Sequence, residues 1–282
     1  MYMEEPINWR EYWQVLVEQQ KLIGIITATT TLLALLTAFV MPPIYRAEVL
    51  LVPVRDENVG TLGSIAGQFG DLAALAGVDL ASKKDRTAEH LAALKSRALA
   101  VAFINQENVK SVLFPGKWDK ETNKWKSEAP SDWDAFETFD KEIRFVNVDR
   151  RTGLITLAIE WRDPALAAKW ANTLVRHVND RLRKEATEEA ERSIGYLEKQ
   201  LAGTSSVEVQ QAIYRLIEVQ TKNKMIASTR EEYAFNVVDP AVMPEKKHKP
   251  KRTMIVLIGL FLGLIAAVSV AIINSWRHRA IR

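Results

Sequence analysis

The sequence predicts an α+β domain with a long helical arm, flanked by two transmembrane helices. Three observations carry that expectation. Uncharged apolar runs lie near both ends, Leu22 to Val40 and Met254 to Ile273. Between them, short β-branched segments alternate with helical patterns. One of those patterns continues from Pro164 to Ala202 with no further proline. The 19 and 20 residues of the two apolar runs each rise about 30 Å as helix, enough to cross the hydrocarbon of a bilayer.

Residues 7–20 place Ile7, Trp9, Tyr12, Trp13, Leu16 and Val17 on one helical face, an aromatic-rich face suited to a membrane interface. The first apolar run comes next. A signal peptide is the rival reading, but the preceding segment is net acidic and no A-x-A site succeeds it, so the helix is expected to be retained. Met41-Pro42-Pro43 ends it. Ile44 to Pro53 reads as a strand stopped by its proline. Residues 60–80 hold Gly60, Gly63, Gly67, Gly70 and Gly77 among Leu, Ala and Ile. That pattern fits either a loosely helical linker or a subunit contact.

Thr87 is placed to cap one helix from Ala88 to Asn105. A polar loop then carries Trp118 and Trp125, which fit packing on the domain's own edge or stacking on sugar rings. Ser131 with Asp134 opens a short helix. Ile143–Val148 and Leu154–Trp161 read as two strands around a turn whose Gly153 permits positive φ. Asp163-Pro164 starts the long helix, Asp as N-cap and Pro at the first helical position. Its apolar row (Leu166, Trp170, Leu174, Val178, Leu182) thins to alanines between Arg183 and Arg192, as expected of a helix leaving its core. Gly203 breaks it, and Ser205 with Glu208 is a capping-box pattern for a second long helix, residues 206–230. Tyr233 to Val238 reads as the last strand.

A proline-rich segment leads into the second apolar run: Pro240, Pro244 and Pro250. These cannot continue a helix or donate to a ladder, so the chain is expected to enter the membrane stiff and extended. Gly259 and Gly263 form a GxxxG pattern that lets helix backbones approach closely. Two spans put residues 1–21 and 274–282 on one side of the membrane and residues 41–253 on the other. Charge does not orient them. Lys246, Lys247, Lys249, Lys251 and Arg252 lie on the loop side, Arg277, Arg279 and Arg282 on the tail side, and long loops translocate regardless of charge.

Composition and motifs exclude most chemistry. A net charge of +3 over 282 residues, with basic residues clustered beside the second span, argues against a nucleic-acid partner. Zero cysteines exclude a disulfide framework and a thiolate metal site. There is no GxxxxGK[ST] phosphate loop, no HExxH and no DxDxDG, and four histidines stand far apart. No catalytic, cofactor-binding or metal-binding residues are therefore assigned, and the chain is expected not to be an enzyme.

These features resemble one family, the polysaccharide co-polymerases or Wzz-type chain length determinants. The resemblance rests on Tyr45-Arg-Ala-Glu-Val-Leu-Leu-Val52 after the first span, Leu94-Lys-Ser-Arg97, and Trp118-Asp119 with Lys124-Trp125. It continues in Thr152 to Glu160, Asp163 to Asn172 and Arg230 to Pro240, then in the proline-rich segment and last span. Such a resemblance implies the inner membrane of a Gram-negative bacterium, with both termini cytoplasmic and residues 41–253 periplasmic. It implies a ring-shaped homo-oligomer that sets the chain length of a surface polysaccharide such as O-antigen. The implied partners are a membrane polymerase and lipid-linked polysaccharide. Pro240, Pro244, Pro250, Gly259 and Gly263 would be its functional motif. The chain stops nine residues after Ile273 with no phosphate loop, so it resembles the kinase-free type. The alternative is an inner-membrane adaptor for exopolysaccharide or capsule export.

Overall fold

The computed structural model describes residues 17–54 and 86–280. The glycine-rich stretch from Gly60 to Gly77 and the aromatic face of residues 7–16 lie outside the described residues. The chain divides into two compact units, one of residues 1–45 with 245–282, the other of residues 46–244.

The first unit holds two helices, α1 (Gln20–Val40) and the last helix of the chain (Arg252–Ala280). Both are long and apolar enough to cross a membrane, over Gln20–Val40 and Arg252–Asn274. The helices begin two residues earlier than the uncharged runs, at Gln20 and Arg252. The last helix continues past Ile273 to Ala280.

The second unit is built on a four-stranded sheet. Its strands are β1 (Tyr45–Pro53), β4 (Arg144–Val148), β5 (Ile155–Trp161) and β6 (Phe235–Asp239), in the order β4-β5-β1-β6. The remaining pair, β2 (Trp118–Asp119) and β3 (Lys124–Trp125), forms a separate small hairpin. β4 pairs antiparallel with β5, Val146 opposite Leu157. Their turn uses Gly153 at φ +76°, while Asp149 accepts from the Arg151 N–H and the Thr152 hydroxyl. β1 pairs antiparallel with β6, with a register shift between Leu50 and Leu51. Alternation explains the layers. Ala47, Val49 and Leu51 of β1, with Ile155, Leu157 and Ile159 of β5, point into one core, and Arg46 and Glu160 pair on the other face.

Helices fill the core from one side. α2 (Arg86–Lys95) and α3 (Arg97–Gln106) replace the single helix expected from Ala88. The break is at Ser96, whose side chain leaves the helical register to accept from the Leu99 N–H and cap α3. Thr87 sits inside α2 rather than before it. The end of α2 is held by Arg144, a nearly fully buried guanidinium that donates to the Leu94 and Lys95 carbonyls and pairs with Asp140. A buried cation is tolerable there because every partner is an oxygen, two of them helix C-terminal carbonyls. A short helix α4 (Val109–Leu113) precedes the β2–β3 hairpin, and α5 (Asp132–Thr138), capped by Ser131, comes after it. Ile143 belongs to the π turn Phe139–Ile143 that ends α5, so β4 starts one residue later than its sequence pattern.

The long helix α6 (Pro164–Ala202) starts where Asp163 accepts from the Ala165 and Leu166 N–H groups. Its 39 residues rise about 58 Å. The first half buries Ala167, Trp170, Leu174, Val178 and Leu182 in the main core. The second half packs against α7 (Val207–Thr229) through a small cluster of Leu197, Ile213 and Leu216. Between these, the pairing is polar, with Lys224 reaching Glu191 at 2.9 Å. Ser206, not Ser205, caps α7: its hydroxyl accepts from the Val209 N–H and donates to Glu208. The acidic partner therefore stands two residues beyond the cap, not three.

Two asparagines fasten α6 to the last strand. Asn179, buried, accepts from the Ala234 and Phe235 N–H groups and donates to the Phe235 carbonyl at 2.9–3.0 Å. Asn172, seven residues earlier and on the same helical face, accepts from the Ala241 N–H and donates to its carbonyl at 2.9 Å. β6 lies at a sheet edge, where backbone groups have no strand neighbour on one side. The Asn179 amide supplies that neighbour at Phe235, and Asn172 holds the chain at Ala241, two residues past the strand.

Replacing Asn179 by Leu removes all three bonds and leaves buried backbone groups without partners. Thermal and denaturant unfolding of the full chain should show a loss of about 3 kcal/mol. Asn179→Asp keeps the acceptor and should lose less. Equal stability of the Leu variant and the natural chain would refute this role for Asn179.

Candidate functional site

The motif residues fall into different compact units: Pro240 and Pro244 in the second, Pro250, Gly259 and Gly263 in the first.

In the first unit, the last helix, α8 (Arg252–Ala280), packs antiparallel on α1. The seam is made of small residues three or four positions apart. Gly259, Gly263, Ala267 and Ala271 line α8, and Thr27, Thr30, Ala34 and Ala38 line α1. Ala38, Ala267 and Ala271 have almost no exposed surface. A Cβ added at Gly259 would collide with the Ala34 Cβ, and one at Gly263 with the Thr30 hydroxyl. The GxxxG pattern is thus occupied within the protomer. It joins the two ends of the same chain, where the sequence left the partner helix open. Lipid tails are as apolar as leucine, so close van der Waals packing supplies the attraction that burial supplies in water. The Thr30 hydroxyl turns back onto its own helix. Thr30 donates to the Ile26 and Thr27 carbonyls, and Thr31 to the Thr27 carbonyl at 2.7 Å. Leu32, Leu36, Leu257, Phe261 and Ile265 point outward.

The chain segments at one end of this helix pair are also joined. Ile44, just after α1, donates its N–H to the Lys249 carbonyl at 2.9 Å and accepts from the His248 N–H at 2.8 Å. Arg252, the first residue of α8, lays its guanidinium 4.7 Å from the centre of the Phe39 ring. The Lys249–Pro250 peptide is cis.

In the second unit, Pro240 and Pro244 bracket Ala241, the residue clipped by Asn172. Val242 and Met243 beside it are exposed. The segment from Pro240 to Pro244 has no regular secondary structure and is held by the Asn172 clip and by Ala241, which is buried in the main core.

The described residues gather no groups for chemistry. No group of three or more His, Cys, Asp or Glu among them could hold a metal ion. The ionisable groups with displaced titration are exposed ones in caps, turns and helix pairs. Asp119 is held below the ordinary carboxylate range by the Thr122 hydroxyl and the Glu121 N–H. Asp132 is lowered by Lys110 and Asn105, Asp149 by Thr152 and the Arg151 N–H, and Glu208 by Ser206. Lys141 is raised by Glu137. A general acid would need a carboxyl raised by burial. Asp163 is occupied as the α6 cap, and Glu231 is exposed. Trp118 and Trp125 pack on each other across β2 and β3, edge to face with centroids 4.8 Å apart. Asn172, Asn179 and the Thr/Ala face of α1 carry no motif that marks them. The last of these was visible only as a small residue every three or four positions.

Residues 5–107 match the family model described as "Chain length determinant protein" (Wzz), and residues 198–276 match that described as "G-rich domain on putative tyrosine kinase" (GNVR). Over residues 5–107 the chain is thus similar to the Wzz-type chain length determinants. The second description is of a domain found on tyrosine kinases and points toward a kinase-associated type, where the kinase-free type is the expectation. Of the 282 residues it remains true that they hold no GxxxxGK[ST] loop. Among solved structures, a "full-length bacterial polysaccharide co-polymerase" superposes with TM-score 0.41 at 13% identity, covering 94% of this chain and 97% of the other. A fragment of WzzB, a polysaccharide co-polymerase from Salmonella Typhimurium, superposes with TM-score 0.34 at 10% identity, covering 73% of this chain and 100% of the other. The likeness to chain length determinants rests on the family model over residues 5–107, not on these structures. No curated protein matches the chain in sequence.

Substitution in the seam has a definite expected outcome. Gly263→Leu should lower the melting temperature of the detergent-solubilised chain by several degrees. Gly24→Leu, where an added Cβ has nothing within 4 Å, should leave it unchanged. If both variants melt like the natural chain, the helix pairing is wrong.

Proposed function

We propose that this protein regulates the chain length of a bacterial surface polysaccharide of the O-antigen kind without itself catalysing bond formation. In this reading α1 and α8 anchor it in the inner membrane of a Gram-negative bacterium, with both termini cytoplasmic and the sheet domain periplasmic. Copies stand side by side as a ring. The ring acts on a membrane polymerase and biases when a growing lipid-linked chain is released. No cofactor takes part. The observation that carries the proposal is the match of residues 5–107 to the chain length determinant model. Two helices of membrane length at the two ends of the chain support the anchoring.

A second reading, an adaptor for exopolysaccharide or capsule export, is favoured by the match of residues 198–276 to a kinase-attached domain. The two readings separate on one phenotype. Deleting the gene should change the length distribution and leave export intact if the regulator reading holds. Lost export would support the adaptor.

Variants in the proline-rich segment test its part in the regulation. Pro240→Ala with Pro244→Ala should shift the band distribution of the polysaccharide on a gel, with normal expression and unimpaired polymerisation. An unchanged distribution would remove these residues from the mechanism. Gly259→Leu should shift the bands likewise, by separating α8 from α1.

A further inference from the structure

At the head of α8 the first unit contains a cleft of about 500 Å³, lined by Lys247, His248, Pro250, Lys251, Arg252, Thr253, Met254 and Leu257. Its chemistry is one-sided. Lys247, Lys251 and Arg252 are cationic and the lining includes no acidic side chain. Lys246 and Lys249 flank it in sequence.

This charge sits where a helix tolerates it least. The N-terminal end of a helix carries about half a positive charge, and its first N–H groups have no carbonyl behind them in the helix. Natural helices place Asp or Glu there; α8 has no acidic residue in its first turn. Cations and helix dipole therefore repel one another. A further donor is already in place without an acceptor: the Nε of Arg252 is enclosed, yet has no hydrogen-bond partner. Thr253 lines the same cleft. The other wall, Met254 and Leu257, is apolar and belongs to the uncharged run of α8.

We infer that this cleft binds the phosphate of a lipid headgroup, with its acyl chains along Met254 and Leu257. An anion there relieves the repulsion among Lys247, Lys251, Arg252 and the helix end. The apolar wall distinguishes a lipid phosphate from the free anion, which has nothing to place on it. The inference rests on α8 being a membrane span, but not on the polysaccharide reading.

The test uses the full chain purified in a neutral detergent. Native mass spectrometry and thermal melting are monitored as short-chain phosphatidylglycerol, a diacylglycerol of the same acyl length and inorganic phosphate are added separately. Phosphatidylglycerol should bind as one adduct per protomer and raise the melting temperature; diacylglycerol and inorganic phosphate should not. Lys247→Gln with Lys251→Gln should weaken phosphatidylglycerol binding by about tenfold or more. Lys247→Arg with Lys251→Arg should restore it, which separates charge from packing. Equal binding by the Gln pair, or by diacylglycerol, would overturn the inference. Inorganic phosphate binding as tightly as the lipid would assign the cleft to the free anion and overturn the lipid. Failure of the chain to partition with membranes would instead strike the reading of α8 as a span.

Discussion

The close approach of α8 to α1 is the constraint on which the first unit depends. Glycine at 259 and 263 lets the α8 backbone reach Ala34 and Thr30, where a larger residue would push it off. In a bilayer no hydrophobic force gathers helices, so contact area at short distance must hold them. The seam also governs the segments at its end. With the helices paired, Ile44 and Lys249 come within backbone hydrogen-bond reach, and Arg252 reaches Phe39. The two points where the chain leaves the helix pair are therefore fixed relative to each other.

The second unit is held together in another way. Its sheet is short and strongly covered on one face, and its polar groups hold the ends of elements. Arg144 closes the end of α2, Ser96 opens α3, Asp163 opens α6, and Asn179 and Asn172 hold the edge strand. None of these groups converges on a cleft with a second, oppositely tuned group.

Much of the fold was legible because its signals are local. Asp163 followed by Pro164 can hardly be anything but a helix start, and the Asp149–Gly153 turn between two alternating segments reads as a hairpin. The misplacements have local causes too. Ser96 looked like a mid-helix residue because serine is compatible with a helix, and only its bond to Leu99 shows the break. Ser205 and Ser206 are adjacent and chemically equal, so sequence could not choose between them. The site was less legible. A GxxxG pattern names one half of an interface, and its partner on α1 is built from Thr and Ala, which carry no such signature. Asn179 carries no local signal, because its three partners are backbone groups more than fifty residues away.

Those two asparagines grip peptide groups and ignore the side chains that hang from them. The fastening is therefore indifferent to which residues occupy positions 234, 235 and 241, so long as each keeps its N–H. What constrains the side chains there is packing, since Ala234, Phe235 and Ala241 are all buried in the main core. Proline is the one residue that would undo the grip, and the prolines of this stretch stand at 240 and 244, on either side of the residue that must donate.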